Sequence, residues 1–190
     1  MKRMNGQNNR PSVYENSFKN FLAVTDMERH WLLPKYFQGG VYVDVGCFDS
    51  IMPVILSERF PDSEVWALDY AEKIIEFLKP RFPKVHYKTH DCSKELPFED
   101  ESVDYVCAGE FIEHLSEPKI FIAEAFRILK MGGYLAISTP LNEEKIGMTV
   151  GGPMHVWSFE LQDIKNLLGT EDVTTVKEGG NNTILAWSKK

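Results

Sequence analysis

Five short apolar runs follow one another along the chain, and most of the segments between them carry apolar residues at helical spacing. The runs cover residues 41–45, 65–68, 85–89, 104–108 and 134–138, each bounded by glycine, proline or acidic turn residues. Between them, residues 50–60, 71–79 and 118–129 carry apolar side chains at helical spacing, and a helical turn is expected over 111–115. Strands that alternate with helices make a parallel sheet covered on both faces, with right-handed crossovers. After a polar loop at 141–156, residues 159–168 read as a further helix that Ser158 could cap, with Glu160 in its first turn. Two β-like runs at 173–177 and 183–188 flank Glu-Gly-Gly-Asn-Asn and suggest an antiparallel hairpin. The expected fold is therefore α/β: a Rossmann-like, doubly wound, seven-stranded, mostly parallel sheet with a C-terminal antiparallel hairpin. A helix over about 15–36 would form an N-terminal cap.

At 190 residues and 43% hydrophobic content one domain is expected, with residues 1–12 as a polar tail and 13–190 folded. Within it, 13–40 would be the cap and 41–190 the core. A net charge of −7 argues against duplex nucleic acid as a partner, because such binders present a basic stripe. No run approaches the apolar length of a membrane span. Cys47, Cys92 and Cys107 are odd in number and too widely spaced for zinc-ligand pairs, which points to a reducing, cytoplasmic setting. A monomer or homodimer is expected.

In an open α/β sheet, ligands bind beyond the carboxyl ends of the strands. Here those ends carry Asp44, Asp69, Asp91 and Glu110. An acid at the second strand tip can accept both hydroxyls of a ribose. Asp91 at the third could accept the exocyclic amine of adenine. Asp44 suits an ammonium group or the amides of its own loop, and Gly46 lets that loop turn sharply beside a ligand. The set suggests a nucleoside with an amino-acid-like tail. A dinucleotide-binding dehydrogenase would want Gly-x-Gly-x-x-Gly after strand one, where this chain has Gly-Cys-Phe-Asp-Ser-Ile, and Asp44 and Asp49 would repel a pyrophosphate.

The ordered pieces VYVDVGC, VWALDY, THDCS, VDYVCAGEFIEHL, LKMGGYLAISTP and the terminal hairpin resemble the class I S-adenosylmethionine-dependent methyltransferases, of the type 11 kind, over residues 41–188. The resemblance implies S-adenosylmethionine as cofactor. Asp44 and Gly46, with Cys47, would lie at its methionine end, Asp69 at the ribose, and Asp91 at the adenine. Tyr70 would lie against the base with Cys92 beside it, and Glu110 would touch the cofactor edge. The chain departs from the family loop at Phe48 and Ser50, where glycine is usual. Phe48 brings bulk to the loop, so either the loop geometry differs or the ring points away.

A second constellation follows strand four. In GEFIEHL, Glu110, Glu113 and His114 stand at i, i+3 and i+4, which on a helix is one face, and His155 comes later in PMHVWSF. Two carboxylates and two imidazoles could hold magnesium, manganese or zinc. The pattern resembles metal-assisted O-methyltransferases, some acting on quinone precursors and others on RNA ends. Without a metal, His155 or His114 is the candidate general base. Phe18, Phe21, Tyr36, Met148, Met154 and Trp157 are candidates to line an acceptor pocket, with ordinary core packing the competing role for Phe18, Phe21 and Trp157. The expected reaction is methyl transfer to a small-molecule acceptor at a hydroxyl oxygen. A terminal-nucleotide methyltransferase and a non-catalytic binding protein are the alternatives.

Overall fold

The computed structural model describes residues 28–141, 155–178 and 181–190. Seven strands form one sheet in the order β3-β2-β1-β4-β5-β7-β6. They are β1 (Val41–Val45), β2 (Glu64–Asp69), β3 (His86–Thr89), β4 (Val103–Gly109), β5 (Leu129–Pro140), β6 (Val173–Glu178) and β7 (Asn181–Lys189). The first five run parallel, while β7 lies antiparallel between β5 and β6. The helices are α1 (Glu28–Leu32), α2 (Met52–Arg59), α3 (Glu72–Leu78), α4 (Pro118–Ile128) and α5 (Leu161–Leu168). This is the doubly wound sheet and hairpin expected from the sequence. Of the expected helix over 15–36, α1 is the described part; residues 13–27 lie outside the described residues.

Alternation along the strands sends side chains to two cores. Val43, Val45, Val106 and Ala108 face one side and pack with Phe121, Ile122 and Ala125 of α4 and Ile164 of α5. Tyr42, Tyr105, Cys107 and Ala136 face the other and pack with Leu33, Leu56, Ile75 and Trp187. Because the sheet is buried on both faces, its strands read as continuous apolar runs. β5 is longer than its sequence signal, since Gly132 and Gly133 lie within the strand instead of ending helix α4.

Two caps also differ from expectation. Helix α5 starts at Glu160, whose side chain accepts from the Asp163 amide while Asp163 accepts from the Glu160 amide at 2.9 Å; Ser158 is not the cap. Ser50 takes only part of the expected role at α2: its hydroxyl accepts from the Met52 amide at 3.3 Å, and Ile51 holds the cap position.

The segment following α1 is latched across the second face. The carbonyl of Leu33 accepts from Trp187 Nε1 at 2.9 Å and from the Tyr105 hydroxyl. Lys35 and Tyr36 both bond Asp172, at 3.0 and 2.8 Å, and the Tyr36 ring stacks on Tyr134 with centroids 4.6 Å apart. Tyr36 thus belongs to this latch and not to an acceptor pocket. No helix among the described residues is long and apolar enough to cross a membrane.

Candidate active site

β1 has β2 on one side and β4 on the other, so strand order reverses there, the position at which open α/β sheets bind ligands beyond the carboxyl ends. Asp44 lies on β1 opposite Cys107 of β4. Its carboxylate is buried, and Oδ2 finds no hydrogen-bond partner among the described residues. Burial pushes the carboxyl up to about 7, against the lowering effect of the Ser50 hydroxyl and with a further push from the charge of Asp69. A buried acid of this kind, next to a second acid, fits a positively charged ligand group.

The loop after β1 explains both its glycine and its phenylalanine. Gly46 has φ +69, and a Cβ there would sit 2.4 Å from Cδ2 of Phe111. The close approach that the glycine permits is therefore to the Phe111 ring. Phe48, where the family pattern has glycine, keeps a left-handed backbone at φ +40 while its ring turns outward, 47% exposed. That geometry points the Phe48 amide at Asp69 Oδ2, 2.9 Å away. The amide of Ala71 donates to Oδ1 at 2.7 Å. A carboxylate has about four lone-pair sites, so both oxygens of Asp69 can still accept from a diol. Burial nonetheless raises the Asp69 carboxyl above its usual range. Tyr70 follows with its ring 76% exposed, a platform at the tip of β2.

Asp91 lies two residues beyond the end of β3. It accepts from the Ser93 hydroxyl at 2.6 Å and the Ser93 amide at 3.2 Å, and pairs with Lys94 at 2.9 Å. These partners hold its carboxyl below the usual value. Cys47 and Cys92 are buried beside the loop. Burial pushes the Cys92 thiol up to about 12 and the Cys47 thiol up as well, so both pack as neutral groups.

The Glu-x-x-Glu-His segment is not one helical face. Glu110 adopts φ +51, Phe111 lies outside helical geometry, and only Ile112–His114 form a 3-10 turn. Glu110 is turned toward β5: its amide donates to the Ser138 carbonyl at 3.0 Å, and the Ser138 hydroxyl donates to its Oε1 at 3.0 Å. Arg29 of α1 approaches the same oxygen at 3.8 Å. Glu113 instead turns inward, 1% exposed, where Oε2 accepts from Thr139 Oγ1 at 3.0 Å.

His155 is brought to this turn by the backbone. The Glu113 carbonyl accepts from the amides of Val156 and Trp157, and the Leu115 carbonyl accepts from Trp157 Nε1 at 2.8 Å. As a result the His114 and His155 rings lie with centroids 4.6 Å apart. One potential ligand atom each from Glu113, His114 and His155 lies within 4.8 Å of the other two. Glu110, offered by the sequence as a fourth member, is outside this group. Arg29, Phe111, Ser138 and Thr139 escaped the sequence reading, and no local signal marks them. The pocket candidates Phe18, Phe21, Met148 and Met154 lie outside the described residues.

The sheet order, the acid-tipped crevice and the terminal hairpin define the methyltransferase class of doubly wound folds. A SAM-dependent methyltransferase from Thermotoga maritima superposes with a TM-score of 0.71 at 18% identity, covering 94% of this chain and 97% of that one. The family described as "Methyltransferase domain" matches residues 43–137, half of the chain, and the chain belongs to that family. A protein of Mycolicibacterium smegmatis named a probable S-adenosylmethionine-dependent methyltransferase is 34% identical over 111 residues, 56% of this chain and 42% of the relative. A malonyl-[acyl-carrier protein] O-methyltransferase of Marinomonas is 30% identical over 132 residues, 68% of this chain and 48% of the relative. The chain thus spans less than half the length of these curated relatives.

Proposed function

We propose that the chain is an S-adenosylmethionine-dependent methyltransferase that methylates a small-molecule acceptor at a hydroxyl oxygen. The observation that carries the reading is the buried Asp44 carboxylate, with Oδ2 unpartnered among the described residues, next to Asp69 at the strand switch point. Asp44 would hold the ammonium end of the cofactor and Asp69 its ribose. Tyr70, exposed at the tip of β2, would cover the adenine. Asp91 would reach the adenine edge only by exchanging part of its present bonding to Ser93 and Lys94. When bound, the cofactor supplies a methyl group already activated by a positively charged sulfur.

What remains for the protein is to align the acceptor and take its proton. The paired rings of His114 and His155 support oxygen as the target, since an imidazole nitrogen is a suitable base for a hydroxyl near neutral pH. The O-methyltransferase name of the Marinomonas relative favours the same atom. Glu113, His114 and His155 also form a donor set suited to a divalent cation such as zinc, manganese or magnesium, which would lower the acceptor's pKa. The outward ring of Phe48 leaves its amide directed at Asp69, so the residue that departs from the family loop supports the cofactor-site acid.

Calorimetry with S-adenosylmethionine and S-adenosylhomocysteine tests the reading. Asp69→Ala is expected to weaken binding by about 1–3 kcal/mol, the scale of a lost charged hydrogen-bond partner. Absence of binding to the wild-type protein refutes the assignment. For the cation, manganese titration of wild type against the Glu113→Ala/His155→Ala variant is expected to show binding only in the former; equal uptake leaves the two histidines as bases alone.

A further inference from the structure

Trp157 is tied to the same turn that carries the imidazole pair. Its amide donates to the Glu113 carbonyl at 3.3 Å, and its indole N–H donates at 2.8 Å to the carbonyl of Leu115, the residue after His114. The buried Phe159 stacks with the indole, centroids 6.4 Å apart. An indole has a single polar atom, a donor. Here the protein satisfies that donor, so what the ring offers to solvent is carbon. The residue nonetheless stays 44% exposed, and Val156 and Leu161, close by in the chain, are 38% exposed each. Pinning an aromatic ring while leaving it half open adds little to the core. Two residues before it, His155 meets His114 with ring centroids 4.6 Å apart, and both imidazoles are half-buried. An apolar surface beside a few placed polar groups is the composition of a small-molecule subsite.

We propose that Trp157 is the platform on which an uncharged phenolic acceptor stacks, with its hydroxyl turned toward His155 and His114. This rests on the function proposed above and names its acceptor class. A flat ring gains from an offset stack on an indole that a puckered ring of the same size cannot make. A phenol gives up its proton at a pKa of about 10, far more readily than an alkyl alcohol, which suits an imidazole base. Asp44, Asp69, Asp91 and Glu110 along the carboxyl edge repel an acceptor that carries its own carboxylate or phosphate. In the reaction the phenol oxygen forms the new O–CH3 bond while the donor's S–CH3 bond breaks. Sulfur keeps that electron pair, and the phenol proton passes to an imidazole nitrogen.

Calorimetry on protein saturated with S-adenosylhomocysteine separates the possibilities with 2-naphthol, its saturated counterpart decahydro-2-naphthol, and 6-hydroxy-2-naphthoate. Wild type is expected to bind 2-naphthol about 3- to 10-fold more tightly than the saturated alcohol, the range for an aromatic stack, and to bind the naphthoate more weakly than 2-naphthol. Trp157→Leu is expected to lose the preference for the flat ring while keeping its affinity for S-adenosylhomocysteine, and Trp157→Phe to keep part of the preference. As a measurement that needs no folded variant, the Trp157 indole resonances of wild type should shift when 2-naphthol is added. Equal wild-type affinity for the flat and saturated alcohols overturns the platform and leaves the cofactor reading standing. So does a Trp157→Leu variant that retains the preference, or a Trp157 indole that does not respond. Tighter binding of the naphthoate than of 2-naphthol overturns the uncharged class. No binding of S-adenosylhomocysteine to wild type overturns the function proposed above and this inference with it.

Discussion

Replacing Gly46 by alanine tests the loop through stability instead of activity. Gly46 sits at φ +69, where an L side chain costs about 1–2 kcal/mol. The new methyl would stand 2.4 Å from Cδ2, 3.0 Å from Cγ and 3.1 Å from Cε2 of Phe111, so either the ring or the loop must move. The ring has little room, because it packs edge-on against Phe121 with centroids 5.1 Å apart. Overpacking of this kind costs about 1–3 kcal/mol. Alanine returns about 0.4–1 kcal/mol by restricting the unfolded chain. The net expectation for Gly46→Ala is a loss of about 2–4 kcal/mol, a large share of the roughly 5–15 kcal/mol that holds a domain together. Urea denaturation followed by far-ultraviolet circular dichroism measures it as a lower midpoint at unchanged slope. Adding Phe111→Leu should recover part of the loss, with a coupling of about 0.5–3 kcal/mol between the two sites. A loss below about 0.5 kcal/mol, or strict additivity with Phe111→Leu, would refute the claim that the ring occupies the direction of the missing Cβ.

Asp44 makes stability depend on pH with a definite sign. Its carboxyl rises from the ordinary 3.8 to about 7 in the folded protein, so the fold retains a proton that the unfolded chain releases. That contribution is complete below pH 3.8 and is lost as pH climbs to about 7; the raised carboxyl of Asp69 acts in the same direction. The urea midpoint of the ligand-free protein should therefore fall between pH 5.5 and 7.5 more steeply in wild type than in Asp44→Asn, and equal slopes would show that Asp44 titrates normally. At pH 7.5 Asp44→Asn should also be more stable than wild type by about 1–3 kcal/mol, because a buried charge is removed, while binding S-adenosylhomocysteine less well. At Phe48 the relief of a left-handed side chain and the entropy gained by an unfolded glycine oppose each other, so Phe48→Gly is expected to lie within about 1 kcal/mol of wild type. Phe48→Val, β-branched at φ +40, should cost about 1–2 kcal/mol, and a neutral valine would argue against the left-handed loop.

The sheet was legible because its signals are local. Apolar runs of strand length, helical spacing between them and a Gly-Asn turn near the terminus each arise from a few consecutive residues, and short parallel strands have few ways to be joined. The placement of Asp44 and Asp69 could be read for the same reason, since a residue at the end of a parallel strand is carried to the carboxyl edge of the sheet by the strand itself. Glu110 shows where local reading stops. Its spacing to Glu113 and His114 fits a helix, yet a left-handed backbone and Ser138, 28 residues away, turn it out of that group. Phe48 was ambiguous in sequence because a glycine's backbone shape and its lack of a side chain are separable demands. The loop keeps the first and satisfies the second by turning the ring outward.

What the sequence alone determined was the layering of the fold and the row of acids along its edge, because both follow from periodicity and from strand ends. Tertiary structure decided which groups meet. Arg29 comes within 3.8 Å of Glu110 where Leu33 is held by Trp187 and Tyr105, and His155 reaches His114 because the backbone at 156–157 bonds the carbonyl of Glu113. Contacts of that kind depend on packing between residues far apart in the chain, and no short stretch of sequence encodes them.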